Sequence, residues 1–306
     1  MSKFQKVLKM MIRIGIGVFF VVSAVLKMLS LDHFELYIYS FHIFNFALSG
    51  LVARAVIACE IMLGILLIIK VKYKWAWWLT MLMLVGFSLL LVYVILFRDD
   101  TNCHCMGDLV EIKPSLSLIK NLVAMTLLLY VRNEGDYSFR WKNLAMVGVF
   151  VVALVPPFVL FPMDGIYNLL FKSKDQDFNE TEFNALMADS TMRDVNLDEG
   201  NYIVGVIASG CKFCETSGVK MSEFADRNHL DTNRILYFVW GDSTSIENFK
   251  VHTKTTSFRF VTISPLAAIR VVNGGFPTYL FMRDGVVEKT ADLHRLTEKA
   301  VCDHLQ

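Results

Sequence analysis

The chain has 306 residues, 55% of them hydrophobic and 19% charged, and its 30 Lys+Arg against 29 Asp+Glu leave a net charge of +1. So low a charged share, with a mean hydropathy of +0.47, fits a polytopic membrane protein better than a soluble globule, where about a quarter of residues are charged. Near-neutrality argues against nucleic acid as a partner, because a phosphate-binding surface carries a basic excess.

Five apolar segments, 8–30, 48–69, 75–97, 115–131 and 143–162, are each about long enough to cross a ~30 Å hydrocarbon core as a helix. Lysines precede the first, and small residues stand at Ser23 and Ala24, as in a signal peptide. Its apolar run is longer than a signal core, holds Arg13 and Lys27 and is followed by further spans, so it is expected to stay as helix one. After it, "DHFELYIYSFHIFNF" at 32–46 places Phe34, Ile38, Phe41 and Phe44 near one face. That pattern suits an amphipathic helix in the outer interface or a cover for the bundle.

Lys3, Lys6 and Lys9, then Lys70, Lys72 and Lys74, then Arg132, Arg140 and Lys142 mark three chain segments as one side of the membrane. Residues 31–47 hold no Lys or Arg, and 98–114 hold only Arg98 and Lys113. The positive-inside rule then puts the N-terminus in the cytoplasm and everything after the fifth span outside, in a bacterial periplasm or an equivalent oxidising compartment. Trp75, Trp77, Trp78 and Trp141 fit an aromatic belt at the inner interface.

Four ionisable residues, Lys27, Arg54, Glu60 and Lys120, fall inside the predicted spans, where charge is costly and usually faces the bundle interior. One reading is a pocket for a quinone headgroup or another electron acceptor. The other is structural, with Lys27 and Lys120 snorkelling and Arg54 paired to Glu60 or to another helix. Cys59 reads as a small packing residue, and Pro156 and Pro157 should kink the fifth helix.

Between spans three and four stands "TNCHCMGD" at 101–108. A disulfide between Cys103 and Cys105 would close a small ring, and strained or exposed disulfides exchange readily. Inert loop cysteines, a structural bridge, and a soft metal held by Cys103, His104 and Cys105 are the competing readings.

Beyond Asp164 hydropathy falls. Residues 165–195 read as a polar linker with one or two short helices, "NETEFNALM" being a helix start. Then come a strand-length apolar run at 202–208, a Ser-Gly break, the C-x-x-C of "GCKFCE", a helix-like stretch, and a second strand at 235–242. A cysteine at a helix N-terminus has its thiolate stabilised by free N–H groups, which makes Cys211 the attacking thiol and Cys214 the resolving one. A zinc site of this spacing would need two more ligands, and no second C-x-x-C follows.

Taken with "GGFPTYLFMRDGVVEKT" at 274–290, residues 195–306 resemble the thioredoxin family. The resemblance implies a cis proline at Pro277 beside the C-x-x-C, with Pro277 and the Phe276 backbone forming the loop that faces substrate. Where many thioredoxins have Trp before the first cysteine, this chain has "ASGC".

Residues 8–132, with "SAVLKMLSLDHFELYI", "ACEIMLGILL" and C-x-C-x-G-D ahead of "PSLSLIKNLVAMTLLLY", resemble the DoxX-like superfamily, most closely its MauE branch. The usual glycine between the cysteines and the aromatic after them are here His104 and Met106. This resemblance implies a four-helix bundle and thiol chemistry at a membrane.

The expected architecture is an α-helical membrane bundle of four helices plus a fifth tethering helix, followed by a soluble α/β thioredoxin-like domain. Its divisions are 1–132 for the bundle, 133–164 for the fifth helix, 165–195 for the linker and 196–306 for the thioredoxin-like domain. The expected function is thiol–disulfide exchange between Cys211–Cys214 and Cys103–Cys105 in a bacterial inner membrane, serving periplasmic client thiols or disulfides. The alternative is a maturation or metal-delivery factor. C-x-x-C chemistry requires no cofactor, and a quinone is the candidate acceptor.

Overall fold

The computed structural model describes all residues except 1–2, 99, 101, 104, 108–111, 136–140, 171–177, 190–191, 193–194 and 274, and the side chains of 169 and 170. The chain forms two compact units, Met1–Met163 and Asp164–Gln306.

In the first unit, α1 (Lys3–Leu29), α2 (Leu31–Tyr39), α3 (Phe46–Ile69), α4 (Tyr73–Phe97), α5 (Pro114–Tyr130) and α6 (Lys142–Val155) follow in order, and a π-helical turn, Pro156–Leu160, extends α6. Helices α1, α3, α4 and the continuous Lys142–Leu160 segment are long and apolar enough to cross a membrane. The expected span at 115–131 is shorter. Pro114 fixes its start, and its 17 residues rise about 26 Å at ~1.5 Å each, just under the hydrocarbon thickness.

Helix α3 is the hub, touching α1, α2, α4 and α6. It approaches α1 most closely where Gly17 meets Gly64. A Cβ on Gly17 would lie 2.6 Å from the Gly64 carbonyl oxygen, and one on Gly64 would lie 2.7 Å from that of Gly17. Small residues at a membrane crossing let the backbones pack directly, which is the main attraction available where lipid is as apolar as leucine. Helix α6 also packs on α3, so it is part of the bundle as well as a tether. Beyond the Pro156–Leu160 turn, the Phe161 carbonyl accepts a bond from Arg54 Nε at 2.9 Å, one of the substitute partners a proline-disturbed helix end needs.

The two ends of this bundle differ. At one, Glu134 bridges Arg13 at 3.2 Å and Lys70 at 3.1 Å, and Arg13 also donates to the Leu67 and Ile68 carbonyls, which draws the basic connections together. At the other, Cys105 and Gly107 lie against the end of α1 and Cys103 lies against α5. Helix α2 packs on α3, and its Phe34 and Ile38 join the apolar cluster around Ile57 and Ile61, so it is a cover rather than a free interfacial helix. The tryptophans divide: Trp75, Trp78 and Trp141 are exposed, whereas Trp77 is buried and donates to the Leu128 carbonyl at 2.8 Å. Cys59, expected to pack, is exposed on α3.

The second unit has α7 (Asp164–Leu170), α8 (Glu180–Met187), β1 (Asn201–Ala208), α9 (Lys212–Arg227), β2 (Ile235–Trp240), α10 (Ser243–His252), β3 (Arg259–Thr262), α11 (Pro265–Val271), β4 (Thr278–Arg283), β5 (Val286–Ala291) and α12 (Glu298–Leu305). The sheet order is β3-β2-β1-β4-β5, with β1, β2 and β3 parallel and the β4–β5 hairpin antiparallel. A C-x-x-C helix leaving the central strand, and a proline leading into the antiparallel hairpin beside it, make this a thioredoxin-like fold.

Val204, Val206, Leu236, Phe238, Leu280 and Met282 form one face of the core, each fully buried apolar side chain being worth ~1.5–3 kcal/mol. Phe183 and Met192 belong to the same cluster. The segment expected as a linker therefore supplies part of this core. Its helix α8 starts where expected, with the Asn179 side chain accepting from the Glu182 N–H.

Candidate functional site

Strand β1 ends at Ala208 and the chain turns at once into α9, with the Cys211 N–H bonded to the Ala208 carbonyl at 3.1 Å. Cys211 is the N-cap of α9: its Sγ accepts from the Cys214 N–H at 3.4 Å. It remains partly exposed, while Cys214, one turn on, is fully buried. Bonding from the Cys214 thiol, then from the Cys214 and Phe213 N–H groups, outweighs burial and lowers the Cys211 pKa to about 6. The Cys211 thiol and burial push Cys214 far up. One thiol is thus poised as a thiolate and its neighbour holds its proton.

The register Val206↔Thr278 between antiparallel β1 and β4 brings the residues before Thr278 alongside the end of β1. The Phe276–Pro277 bond, which is cis, therefore emerges next to the C-x-x-C, as the resemblance implied. Phe276 packs on the core and lies near Trp240, with ring centroids 6.4 Å apart.

Behind Cys214, Ser217 Oγ donates to the Cys214 carbonyl at 2.8 Å and accepts from Tyr279 Oη at 2.8 Å. Tyr237 and Tyr279, both fully buried, converge from β2 and β4 over Gly205 of β1. A Cβ on Gly205 would come within 2.8 Å of the Tyr237 ring and 2.9 Å of that of Tyr279.

In the membrane unit the second cysteine pair is pinned from three sides. Cys103 N–H bonds the Ile112 carbonyl at 3.1 Å, Ser23 of α1 donates to the Cys105 carbonyl at 3.1 Å, and Ser117 of α5 meets Cys103 Sγ at 3.0 Å. Gly107 has φ +69 and presses on the end of α1, where a Cβ would strike Ser30 Oγ and the Leu26 carbonyl. That double demand explains the glycine after C-x-C-x. The Cys105 thiol, with Ser117 and the Cys105 N–H, lowers the Cys103 pKa to about 6 against the effect of burial. Cys105 is raised well above its usual value, first by that bond and then by burial. The two pairs share one asymmetry, a low thiol beside a high one.

Cys103 and Cys105 open onto a cavity of about 170 Å³ that Lys27, Glu60 and Lys120 also line. Lys27 Nζ is bonded to Glu60 Oε1 at 2.5 Å and to Ser23 Oγ at 2.9 Å, so it is buried in an ion pair and does not snorkel. Arg54 stands apart from that pair, bonded to Glu35 of α2 at 2.9 Å and to the Gly50 carbonyl. Three of the four ionisable residues singled out in the sequence thus meet below the C-x-C loop, and the fourth holds α2 in place. Sequence reasoning missed Ser23, Ser117 and Asn121, whose only signal was their spacing: Ser117, Lys120 and Asn121 share one face of α5.

His104, the third ligand of the metal alternative, lies outside the described residues. Among the described residues no group of three or more His, Cys, Asp and Glu side chains is placed to hold a metal. Cys302 is half-buried in α12.

Residues 5–132 match the family model described as "Methylamine utilisation protein MauE". Over 193 residues, 60% of this chain, the protein is 26% identical to "Protein TlpB" of Flavobacterium psychrophilum, and it spans 50% of that relative's length. A secreted Mycobacterium tuberculosis disulfide oxidoreductase, described as homologous to E. coli DsbE, aligns with 36% of this chain and 82% of its own, at 14% identity and a TM-score of 0.29. The protein is thus a membrane protein that carries an N-terminal MauE domain, at residues 5–132, followed by a domain of thioredoxin-like fold.

Proposed function

We propose that the protein is a membrane-bound thiol–disulfide oxidoreductase in which Cys211–Cys214 exchanges with client proteins and with Cys103–Cys105. The observation that carries this reading is the shared asymmetry of the two pairs. Thiol exchange needs an attacking thiolate, a disulfide with a good leaving group, and a resolving thiol, and a lower leaving-group pKa speeds departure.

Cys211 thiolate attacks Cys105 Sγ of a Cys103–Cys105 disulfide, because Cys105 is the more accessible of the two. The S–S bond breaks, and Cys103 leaves as the thiolate that Ser117 and the Cys105 N–H stabilise. Cys214, once deprotonated, attacks Cys211 Sγ of the mixed disulfide and releases Cys105, which takes up that proton. Two electrons have passed from the C-x-x-C to the C-x-C, and the same steps run backwards with the opposite supply. Both sites on one chain raise the effective concentration to about millimolar without any docking surface. The orientation follows the positive-inside rule, with both pairs in the periplasm and the N-terminus in the cytoplasm.

The test is trapping in intact membranes with Cys214→Ser, which removes the resolving thiol and keeps a donor at that position. Non-reducing peptide mapping should find Cys211 joined to Cys105. If Cys211 is joined only to other proteins, the relay is wrong and Cys103–Cys105 has a separate role.

A further inference from the structure

The cavity under the C-x-C loop has a lining that thiol exchange with a soluble domain does not require. It runs from Cys103 and Cys105 down to Glu60, midway along α3, between walls that are mainly aromatic: Phe20 of α1, Phe34 and Tyr37 of α2, Phe87 of α4. Its volume of about 170 Å³ suits one small ring system, given that a cavity of ~150 Å³ takes up benzene.

One polar atom in this greasy space is buried without a partner, and two further polar groups line it. Glu60 Oε2 is buried with no hydrogen bond, although Oε1 is held by Lys27. The Lys120 ammonium has no hydrogen-bond partner among the described residues and lies 5.1 Å from the centroid of the Phe19 ring. Asn121, also buried, lines the cavity beside it with no hydrogen bond assigned to its amide among the described residues. Buried polar groups are ordinarily satisfied, and an orphaned one calls for an explanation. The cavity offers two donors and one acceptor around an aromatic slot, within reach of two thiols, inside the hydrocarbon layer.

We infer that this cavity binds the ring of a lipid-soluble quinone, which is the electron acceptor for Cys103 and Cys105. The inference rests on the thiol–disulfide reading and names the acceptor for it. A quinone ring presents carbonyl oxygens to Lys120 and Asn121. Its reduced form gains an O–H that can donate to Glu60 Oε2, which the oxidised form leaves unpaired. An acyl chain could fill the apolar walls but would satisfy none of the three groups.

The step balances with one proton drawn from solvent. In the reduced pair Cys103 is a thiolate and Cys105 a thiol, so one S–H bond is lost and one S–S bond forms. The two electrons pass to the ring with the Cys105 proton and one proton from water at the loop, turning quinone into hydroquinone. The regenerated disulfide is the form that Cys211 attacks.

The experiment uses the full chain in lipid nanodiscs with decylubiquinone, a one-ring quinone with a short tail, as the probe. Equilibrium binding is measured on the Cys103→Ser/Cys105→Ser variant, where no electron can move, and hydroquinone formation on the reduced wild type. Lys120→Met is expected to weaken binding at least tenfold, the scale of a lost charge-assisted hydrogen bond. Lys113→Met, on the exposed approach to the same helix, should change nothing. Decylubiquinone that binds no better than decanol, or equally to wild type and Lys120→Met, overturns the inference and makes the cavity an acyl-chain pocket. Mixed-disulfide trapping reports separately on the thiol relay: a trapped Cys211–Cys105 bond without quinone binding sinks the quinone site alone, and quinone binding without the trapped bond sinks the relay alone.

Discussion

Removing the Cys214 thiol should change how Cys211 reacts in a way that reverses with pH. Bonding from Cys214 is the largest influence holding Cys211 at about 6, against an ordinary value of 9.0. At pH 7 a thiol with pKa 6 is about 90% thiolate and one with pKa 9 about 1%, a ~90-fold difference in the reactive form. Intrinsic nucleophilicity falls as pKa falls, with a slope of ~0.45, which over three units removes ~20-fold. The net advantage is ~4-fold at pH 7 and ~25-fold at pH 6, and above about pH 8 the ordinary thiol is faster. Iodoacetamide alkylation of Cys211, resolved by peptide mass spectrometry across pH 5–10 in the reduced full chain, reads this directly. The wild type should titrate near pH 6, Cys214→Ser close to it, and Cys214→Ala higher, with rate profiles that cross. A wild-type midpoint near 9, or Cys214→Ala superimposed on the wild type, would refute the claim that the neighbouring thiol sets the nucleophile.

In the bundle, Lys27→Met leaves the Glu60 carboxylate buried without its counter-ion and should cost ~3–5 kcal/mol, while Lys27→Met/Glu60→Leu should recover most of it; thermal melts in detergent check this, and equal losses would show that the pair carries no coupling. Gly64→Leu should lose ~1–3 kcal/mol through overpacking against α1 at the crossing, read by the same melts; an unchanged melt would mean the helices do not meet there. In the second unit, burial raises the Asp164 pKa, but Lys220 at 2.6 Å and His294 at 2.9 Å more than compensate and the net shift is downward. A carboxyl with a depressed folded-state pKa contributes stability above its unfolded value of 3.8 and loses it as pH falls below that. Asp164→Asn should therefore flatten the acid limb of a urea titration below about pH 4 and leave a nearly constant deficit at pH 7.

Much of this was legible in the sequence because the signals were local. Apolar runs of spanning length, a C-x-x-C after a strand, and Phe-Pro-Thr before a D-G turn each specify an element without reference to the rest of the chain. What escaped reading depended on long-range partners. Strand β3 is four residues long and half-buried, so it has neither the length nor the alternation of a strand until β2 pairs with it. The 165–195 segment is polar overall, and among its described residues Phe183 and Met192 are buried in the core while Phe178, Leu186, Met187 and Val195 pack against it only in part, too irregular a pattern to distinguish a packed segment from a linker. In the membrane, composition marked Lys27, Arg54, Glu60 and Lys120 as unusual but could not pair them. Which carboxylate each cation meets is set by helix rotation, and a shift of one residue turns a side chain by about 100° around the helix axis.

Gly205 bears on how this domain can change over time. Its missing side chain is the space that two tyrosines from neighbouring strands fill, so no one of the three positions can be altered freely: a methyl at 205 must displace a ring, and a smaller residue at 237 or 279 leaves a hole beside a strand with nothing to extend into it. Substitutions here should be tolerated as sets and rejected singly, which makes the trio behind Cys214 a heritable unit of its own, separate from the cysteines it supports.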